Sequence, residues 1–284
     1  MPIRHSIKVV RRTFDELEHC ASVDPDSFVL KVRRNLDTHL SEYIEISTVY
    51  YRAGYSPDEY TPMRYNTRLL LEGSRAIKCP TIPLQLAGGK KIQEVLTHPG
   101  VLEYFLADEK KYGKDVLSQE DIAELRESFM EMWGLDMGED IITTDADCKE
   151  SLGVQRVREA AMSLVLKPQR EGGGNNIYKE AIPAFLDRLP PEERPAWVAM
   201  RLIQPPDSGN YLVRAGSTGL DVHRPVKAAT MSELGIFGWA LFGGHDRKVE
   251  EREAGILLRT KVKESNEGGV ATGYSVLDSP LLVD

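Results

Sequence analysis

One run of ten residues, Lys167–Asn176, constrains this chain more than any other feature, and it reads KPQREGGGNN. An apolar stretch, Met162–Leu166, leads into it. Consecutive glycines let a backbone approach a ligand closely because no Cβ intervenes, and their amides can converge on phosphate oxygens. A flexible linker is the alternative, but linkers are usually polar on both sides. The run therefore predicts a strand that ends in a nucleotide-phosphate loop.

The charged residues beside the glycines fit the same function. Lys167 can reach a phosphate as a point charge, and Arg170 offers a planar fork of donors. Glu171 is placed to hold Mg²⁺, a hard cation that prefers carboxylate and phosphate oxygens. The chain contains neither GxxxxGK[ST] nor GxGxxG. These are the signature motifs of classical P-loop NTPases, Rossmann dehydrogenases and protein kinases, so those three classes are disfavoured.

Composition narrows the class of protein further. The 284 residues are 41% hydrophobic and 28% charged, which is typical of a globular chain. A net charge of -8 argues against a nucleic-acid binder. Three widely spaced cysteines indicate a reducing compartment, and no apolar run is long enough to predict a membrane helix. We expect a cytoplasmic protein; a transit peptide in the basic first residues is the alternative.

The pattern of apolar residues changes along the chain and predicts an α/β (α+β) fold. Strands are expected at 7–10 and 45–51, and the second ends in the turn Arg52–Pro57, where α/β folds place ligands. Residues 92–160 have helical spacing, including one stripe that reaches Trp133. Beyond Met162 the chain is rich in strand patterns, among them 197–203, 211–214, 226–231, 236–242 and 256–261.

Candidate ligand-binding residues also occur on these later strands. Arg259 and Lys261 alternate with Thr260, so the two cations share one face of a strand. They precede the small-residue loop 268–273, which suggests recognition of anionic groups. Glu233 could bind a nucleotide hydroxyl, although a strand-end Glu is more often solvated.

Taken together, these segments resemble eukaryotic-type glutathione synthetase, an ATP-grasp ligase. The matching segments follow the family order along essentially the whole chain: Arg52–Tyr55, Arg68–Glu72, Lys78–Pro80, Gln85–Gly88, Lys167–Asn176, Ser232–Gly238, Leu257–Lys261 and Gly268–Ala271. The resemblance implies an ATP-grasp domain at 91–284 with a glycine-rich lid at about 141–228. Residues 1–90 would be a partial Rossmann-like substrate-binding domain.

The resemblance also implies a reaction and its participants. ATP would phosphorylate the carboxylate of γ-glutamylcysteine, and glycine would attack the acyl phosphate to give glutathione, ADP and phosphate. Mg²⁺ would be the cofactor and a homodimer the assembly, with no nucleic acid or membrane involved.

Family roles carry over residue by residue. Lys167 and Arg259 would be catalytic, and Glu171 would be the metal ligand. The dipeptide would contact Arg52, Tyr55, Arg259, Val270 and Ala271. ATP would be bound by Lys90, Lys167, Pro168, Gln169, Arg170, Glu171, Gly172, Gly173, Gly174, Asn175, Asn176, Tyr178, Met200, Arg201, Leu202, Ile203, Glu233, Lys261 and Glu267.

Departures from the family leave two alternatives. Arg201 stands where the family commonly has Glu, and Glu267 replaces an Asp. The family chain continues upstream of the position of Met1, and that part supplies further magnesium ligands and much of the dipeptide site. One alternative to an active ligase is therefore a truncated, inactive nucleotide-binding fragment. The other is an ATP-grasp ligase that uses a different acceptor amine.

Overall fold

The computed structural model describes residues 7–36, 42–112, 116–138, 150–169, 174–206, 208–212, 225–243, 249–266, 268–270 and 273–280. The chain divides into two compact units: residues 1–126 with 169–171, and residues 127–168 with 172–284. The predicted division between residues 90 and 91, and the predicted lid at 141–228, stay predictions.

The first unit contains short strands in its first part and mainly helices after β5. In chain order they are α1 Phe14–Cys20, β1 Ala21–Val23, β2 Leu30–Arg33, β3 Tyr43–Glu45, β4 Thr48–Tyr50, α2 Pro62–Glu72, β5 Ile77–Cys79, α3 Ile82–Ala87, α4 Lys90–Leu96, α5 Val101–Leu106, α6 Glu109–Tyr112 and α7 Gln119–Glu127. Strands β1, β2 and β3 form an antiparallel sheet, whereas β4 and β5 pair in parallel. The parallel pair brings the end of β4 next to the end of β5.

The core of the first unit lies between α1, α2 and the strands β2 and β4. Its buried side chains are Cys20, Leu30, Val32, Tyr51, Leu71 and Ala76. Helix α2 begins at a capping Thr61, whose hydroxyl accepts from the N–H of Arg64 at 3.3 Å. Its buried face carries Thr67, Arg68 and Leu71, as the spacing of one helical face requires.

The described residues of the second unit form two separate sheets. Its elements are β6 Met132–Gly134, α8 Leu152–Ala160, β7 Leu164–Pro168, β8 Ile177–Tyr178, α9 Ala181–Leu186, β9 Trp197–Arg201, β10 Ser208–Leu212, β11 Val226–Leu241, β12 Glu250–Val262 and β13 Ser275–Asp278. The first sheet has the order β6-β9-β7-β8, and the second has the order β10-β11-β12-β13. Every pairing in these two sheets is antiparallel.

One face of the first sheet packs against α8 and α9. The buried cluster contains Trp133, Leu135, Val154, Val157, Ala161, Leu164, Leu166, Ile182, Leu186, Leu189 and Ala199. Leu164 and Leu166 come from alternate positions of β7, as expected for one face of a strand.

The hairpin of β11 and β12 leaves apolar side chains exposed. Those of its distal half include Leu234, Ile236, Phe237, Trp239, Leu241 and Ile256. The register shifts between Phe237 and Gly238. We call this set the apolar hairpin strip.

The structure corrects three of the element predictions. Residues 7–10 form no strand. The side chains of Ile7 and Val9 are both 73% exposed, so these apolar residues do not pack against a neighbouring element. The helical stripe ends at Glu127, because Met132 and Trp133 pair with β9 as part of β6. The predicted strands 226–231 and 236–242 are one continuous strand, β11.

Candidate functional site

Three predicted nucleotide residues lie on one face of the first sheet. Val165 is the partner of Tyr178 in β8 and of Met200 in β9. Directly opposed residues of an antiparallel pair share a face, and alternate residues of a strand return to it. Lys167 therefore lies on the same face as Tyr178 and Met200, and this face is opposite the one that carries Leu164 and Leu166.

The described end of the glycine loop is tied to this face. The side-chain amide of Asn176 donates to the hydroxyl of Tyr178 at 3.1 Å. Gly174 has φ of +90°, a left-handed conformation that favours glycine, and Asn175 next to it is exposed. Gly174 therefore has a backbone conformation that residues other than glycine rarely adopt, three residues before β8 begins.

Arg201 has its side chain on the other face of β9. It is the partner of Leu164, and its guanidinium binds Glu131 at 2.8 Å through Nε and at 2.7 Å through a terminal nitrogen. The hydroxyl of Ser163 accepts from it at 3.0 Å. Arg201 thus forms an ion pair within its own unit, away from the face of Lys167.

The other predicted residues of these strands are also placed. Pro168 is the partner of Trp197 at the end of β7. After β9, the N–H of Leu202 donates to the carbonyl of Ser163 at 2.9 Å, and Ile203 is exposed. The segment 200–203 therefore crosses from the sheet into solvent.

The second sheet brings together Glu233, Arg259 and Lys261. Glu233 is the partner of Arg259, and Met231 is the partner of Lys261. All three charged residues consequently share one face, as the alternation in the sequence predicted. A guanidinium nitrogen of Arg259 contacts the carboxylate of Glu233 in an ion pair, and Lys261 donates to the carbonyl of Asn266 at 3.3 Å.

The small-residue loop begins beside Lys261. Ser275 is the partner of Lys261 in β13, and its N–H donates to the carbonyl of Gly269 at 3.0 Å. The N–H of Gly273 donates to the carbonyl of Val270 at 3.1 Å. Val270 is exposed, and the described residues of the loop connect to β13 beside Lys261.

In the first unit, Lys90 and Gln169 lie at the start of α4. The side-chain carbonyl of Gln169 accepts from the N–H of Lys91 at 2.9 Å, so it satisfies one of the free donors of the helix start. The ammonium of Lys90 donates to Gln93 at 2.9 Å. Both predicted ATP residues are therefore within one helical turn of α4.

Arg52 and Tyr55 lie on the loop that follows β4, and both are exposed. Between them Gly54 has φ of +75°. A Cβ at Gly54 would lie 2.9 Å from Cζ of Tyr60 and closer still to its hydroxyl. Only glycine fits this position.

Side chains outside the predicted site hold this loop. The N–H groups of Gly54, Tyr55 and Ser56 donate to the carboxylate of Glu59 at 2.8, 2.9 and 3.3 Å. The N–H of Gly54 has the largest effect in holding the pKa of Glu59 below its usual range. The side-chain amide of Gln85 donates to the carbonyl of Gly54 at 2.7 Å. The loop between Arg52 and Tyr55 is thus fixed by side chains around it.

Some predicted site residues lie outside the described residues: Arg170, Glu171, Gly172, Gly173, Glu267 and Ala271. Within the described ranges, no group of three or more His, Cys, Asp or Glu residues could hold a metal ion. In those same ranges, no helix is long and apolar enough to cross a membrane.

Comparison with known proteins identifies a family to which this chain is similar. Residues 8–282 match the family model described as eukaryotic glutathione synthase, ATP binding domain. Glutathione synthetase of Homo sapiens is 39% identical over 282 residues, which are 98% of this chain and 52% of that protein. The enzyme of Dictyostelium discoideum is 38% identical, with 98% and 52% covered. A chloroplastic glutathione synthetase of Arabidopsis thaliana is 38% identical, with 99% and 45% covered.

A solved structure supports the fold. The apo form of a glutathione synthetase-like effector from Globodera pallida aligns with a TM-score of 0.55 at 21% identity, over 95% of this chain and 47% of that one. The predicted α/β (α+β) ATP-grasp class is confirmed. This chain spans about half the length of the curated relatives that it matches. It belongs to the eukaryotic glutathione synthase family, and its match extends over the ATP-binding domain of that family.

Proposed function

We propose that this chain binds ATP and γ-glutamylcysteine and takes part in the ligation of the dipeptide with glycine. The observation that supports this most is the common sheet face of Lys167, Tyr178 and Met200, which follows from the strand register. The shared face of Glu233, Arg259 and Lys261 supports it independently. A lysine at a strand end that leads into glycines is suited to phosphate.

The chemistry would proceed in two steps. A carboxylate oxygen of the dipeptide attacks the γ-phosphorus of ATP, which breaks the bond to the β-phosphate oxygen and gives an acyl phosphate and ADP. The glycine amine then attacks the acyl carbon, phosphate leaves, and the amine loses a proton. Phosphoryl transfer depends mainly on alignment and neutralised charge. Lys90 and Lys167 would neutralise ATP phosphates, and Arg259 would orient the anionic carboxylate that reacts.

Mg²⁺ would be held through Glu171 together with ATP. The described residues supply no cluster of three ligands, but Mg²⁺ usually binds through one or two carboxylates, substrate phosphates and water. A single carboxylate beside phosphates therefore fits this cation. When bound, Mg²⁺ would neutralise part of the triphosphate charge.

The assembly and compartment also belong to the proposal. We base the homodimer on the resemblance alone, and the cytoplasmic location on the small number and wide spacing of the cysteines. Two chloroplastic relatives show that members of the family differ in compartment. Sedimentation of the purified chain would test the dimer.

The function is tested by phosphate release from MgATP with γ-glutamylcysteine, with and without glycine. Glycine-dependent release that falls at least about 100-fold in Lys167→Ala supports the ligase. The matched control is Lys31→Ala, because Lys31 is an exposed lysine of β2 in the first unit. Other amino acids in place of glycine would identify a different acceptor amine.

The second candidate is a nucleotide-binding chain without ligase activity. The shared sheet face of Lys167, Tyr178 and Met200 would also serve such a chain, because nucleotide binding alone needs no transfer step. Folded protein that binds MgATP in a titration but releases no phosphate would overturn the ligase and support this candidate. Loss of that binding in Lys167→Ala would confirm the nucleotide site.

A further inference from the structure

Arg68 is a buried cation with a fixed position. It is 3% exposed on α2, and its guanidinium carbon lies 3.7 Å from the ring centroid of Tyr51. Its Nε donates to Glu72 at 2.9 Å, one helical turn away. A buried charge is costly unless it is paired and hydrogen-bonded. Tyr51 and Glu72 together determine where the remaining donors of Arg68 point.

Those remaining donors are used inside the protein. One terminal nitrogen donates to the hydroxyl of Tyr60 at 3.1 Å and to the side-chain carbonyl of Gln85 at 3.3 Å. The other donates to the backbone carbonyl of Pro80 at 3.4 Å. Every nitrogen of Arg68 therefore has an acceptor within this unit. Arg68 is occupied and does not present a donor to a ligand.

Arg68 determines which of its partners' groups accept hydrogen bonds and which are left to donate. A guanidinium can only donate, so the Tyr60 hydroxyl and the Gln85 carbonyl must accept. Their own donors then point elsewhere. The Tyr60 hydroxyl donates to the carbonyl of Gly54 at 3.1 Å. The Gln85 amide donates to the same carbonyl at 2.7 Å and to that of Tyr55 at 3.4 Å.

We propose that Arg68 is a positioning residue for the dipeptide site, which acts by orienting Tyr60 and Gln85 so that both hold the carbonyl of Gly54. Glu59 accepts hydrogen bonds from N–H groups of the same loop. Both the N–H and the carbonyl groups of the loop backbone therefore have partners within the protein. The side chains of Arg52 and Tyr55 are thereby left exposed for the anionic dipeptide. This inference rests on the proposed function, in which those two residues bind γ-glutamylcysteine.

Two variants test the proposal. Arg68→Lys keeps the charge but lacks the fork that reaches Glu72, Tyr60 and Gln85 together. Gln85→Glu still accepts from Arg68 but has no donor for the carbonyl of Gly54. Because Gln85 is only half-buried, this variant still tests the proposal if Arg68→Lys does not fold. Arg75→Lys is the matched control, because the exposed Arg75 pairs with Glu45 at 3.3 Å in the same unit.

The first measurement is amide hydrogen exchange of the ligand-free protein. We expect exchange at Gly54–Ser56 to rise at least about tenfold in both variants, with Leu30 and Leu71 in the core unchanged and Arg75→Lys like the unaltered protein. Unchanged exchange at Gly54–Ser56 would overturn the proposal. An equal rise throughout the unit would overturn it as well, because Arg68 would then be only a structural residue.

The second measurement is titration with γ-glutamylcysteine and, separately, with MgATP. We expect dipeptide affinity to fall at least about tenfold in both variants and ATP affinity to stay within about twofold, a split that general destabilisation does not produce. Equal losses for both ligands would contradict a role in the dipeptide site. If the unaltered chain binds no dipeptide, the proposed function fails, and hydrogen exchange still decides whether Arg68 fixes the loop.

Discussion

Glu233 and Arg259 lie directly opposite each other on β11 and β12, and their side chains form an ion pair on the face that also carries Lys261. The side chain of Glu233 is 67% exposed and that of Arg259 is 37% exposed. Pairs at this exposure contribute less than about 1 kcal/mol to the free energy of unfolding. The pair therefore has little importance for stability, and both residues are available to ligands.

The first prediction concerns Arg259→Gln. We expect kcat/KM for γ-glutamylcysteine to fall at least about 100-fold, while the free energy of unfolding changes by less than about 1 kcal/mol. Arg252→Gln, an exposed arginine of the same strand, should leave both quantities unchanged. Steady-state kinetics and urea unfolding measure them. Unaltered kinetics in Arg259→Gln would remove this residue from the site.

The second prediction concerns Arg201, which occupies a position where the family commonly has Glu. Because its guanidinium binds Glu131, Arg201→Glu would place two carboxylates together and lower the free energy of unfolding by about 1 kcal/mol. Arg201→Gln should lower the free energy of unfolding by less. The difference between the two variants should vanish when Glu131 is also replaced by Gln. Urea unfolding measures this cycle. ATP affinity should stay within about twofold, and a larger loss would show that Arg201 contacts the nucleotide.

The third prediction concerns the pH dependence of stability through Glu59. Its folded pKa is lowered by the N–H groups of Gly54, Tyr55 and Ser56. A lowered folded pKa stabilises the protein above the unfolded value of about 4.3, and this contribution is lost as pH falls through the folded pKa.

We therefore expect Glu59→Gln to be less stable than the unaltered protein at pH 7, with a difference that shrinks below about pH 4.3. Glu42→Gln, at an exposed carboxylate of the same unit, should show a smaller difference at pH 7. Urea unfolding at several pH values measures both. A difference for Glu59→Gln that stays constant down to pH 3 would contradict the hydrogen-bond assignment.

The fourth prediction concerns Gly153 in α8. Alanine in a helix normally stabilises it by up to about 1 kcal/mol relative to glycine. Here a Cβ would lie 2.9 Å from the carbonyl oxygen of Leu135 and closer still to that of Gly134. We expect Gly153→Ala to lower the free energy of unfolding, measured by thermal denaturation, by about 1–3 kcal/mol. Gly209→Ala, where the nearest atom is 3.8 Å away, should be nearly neutral.

Sequence patterns predicted the sheet-forming half of the chain well. An apolar strand before the glycine loop corresponds to β7, and the alternation of Arg259 and Lys261 places both on one face of β12. These features depend on short-range periodicity, which a sequence records directly. The placement of Lys167 with Tyr178 and Met200 required the register between strands, which periodicity does not contain.

Other features were set by long-range contacts. The apolar stripe through Trp133 is compatible with a helix, but pairing with β9 takes Met132 and Trp133 into a strand. The roles of Glu59, Tyr60 and Gln85 depend on hydrogen bonds to a loop that the sequence shows only as a turn. Arg68 left no indication of its role in the sequence, because consecutive helical residues point in different directions and the neighbouring Leu69 is 71% exposed.

The apolar hairpin strip has a practical consequence for the handling of this chain. Leu234 and Ile236 lie on one face of β11, and Phe237, Trp239 and Leu241 lie on the other. Both faces of the hairpin therefore expose apolar side chains, and exposed apolar surface promotes adhesion between molecules. A preparation should bind the dye 8-anilinonaphthalene-1-sulfonate in its folded state and become turbid with rising concentration or salt, as the repulsion from a net charge of -8 is screened. Purification at low ionic strength and in dilute solution follows directly from the pattern of residues on β11.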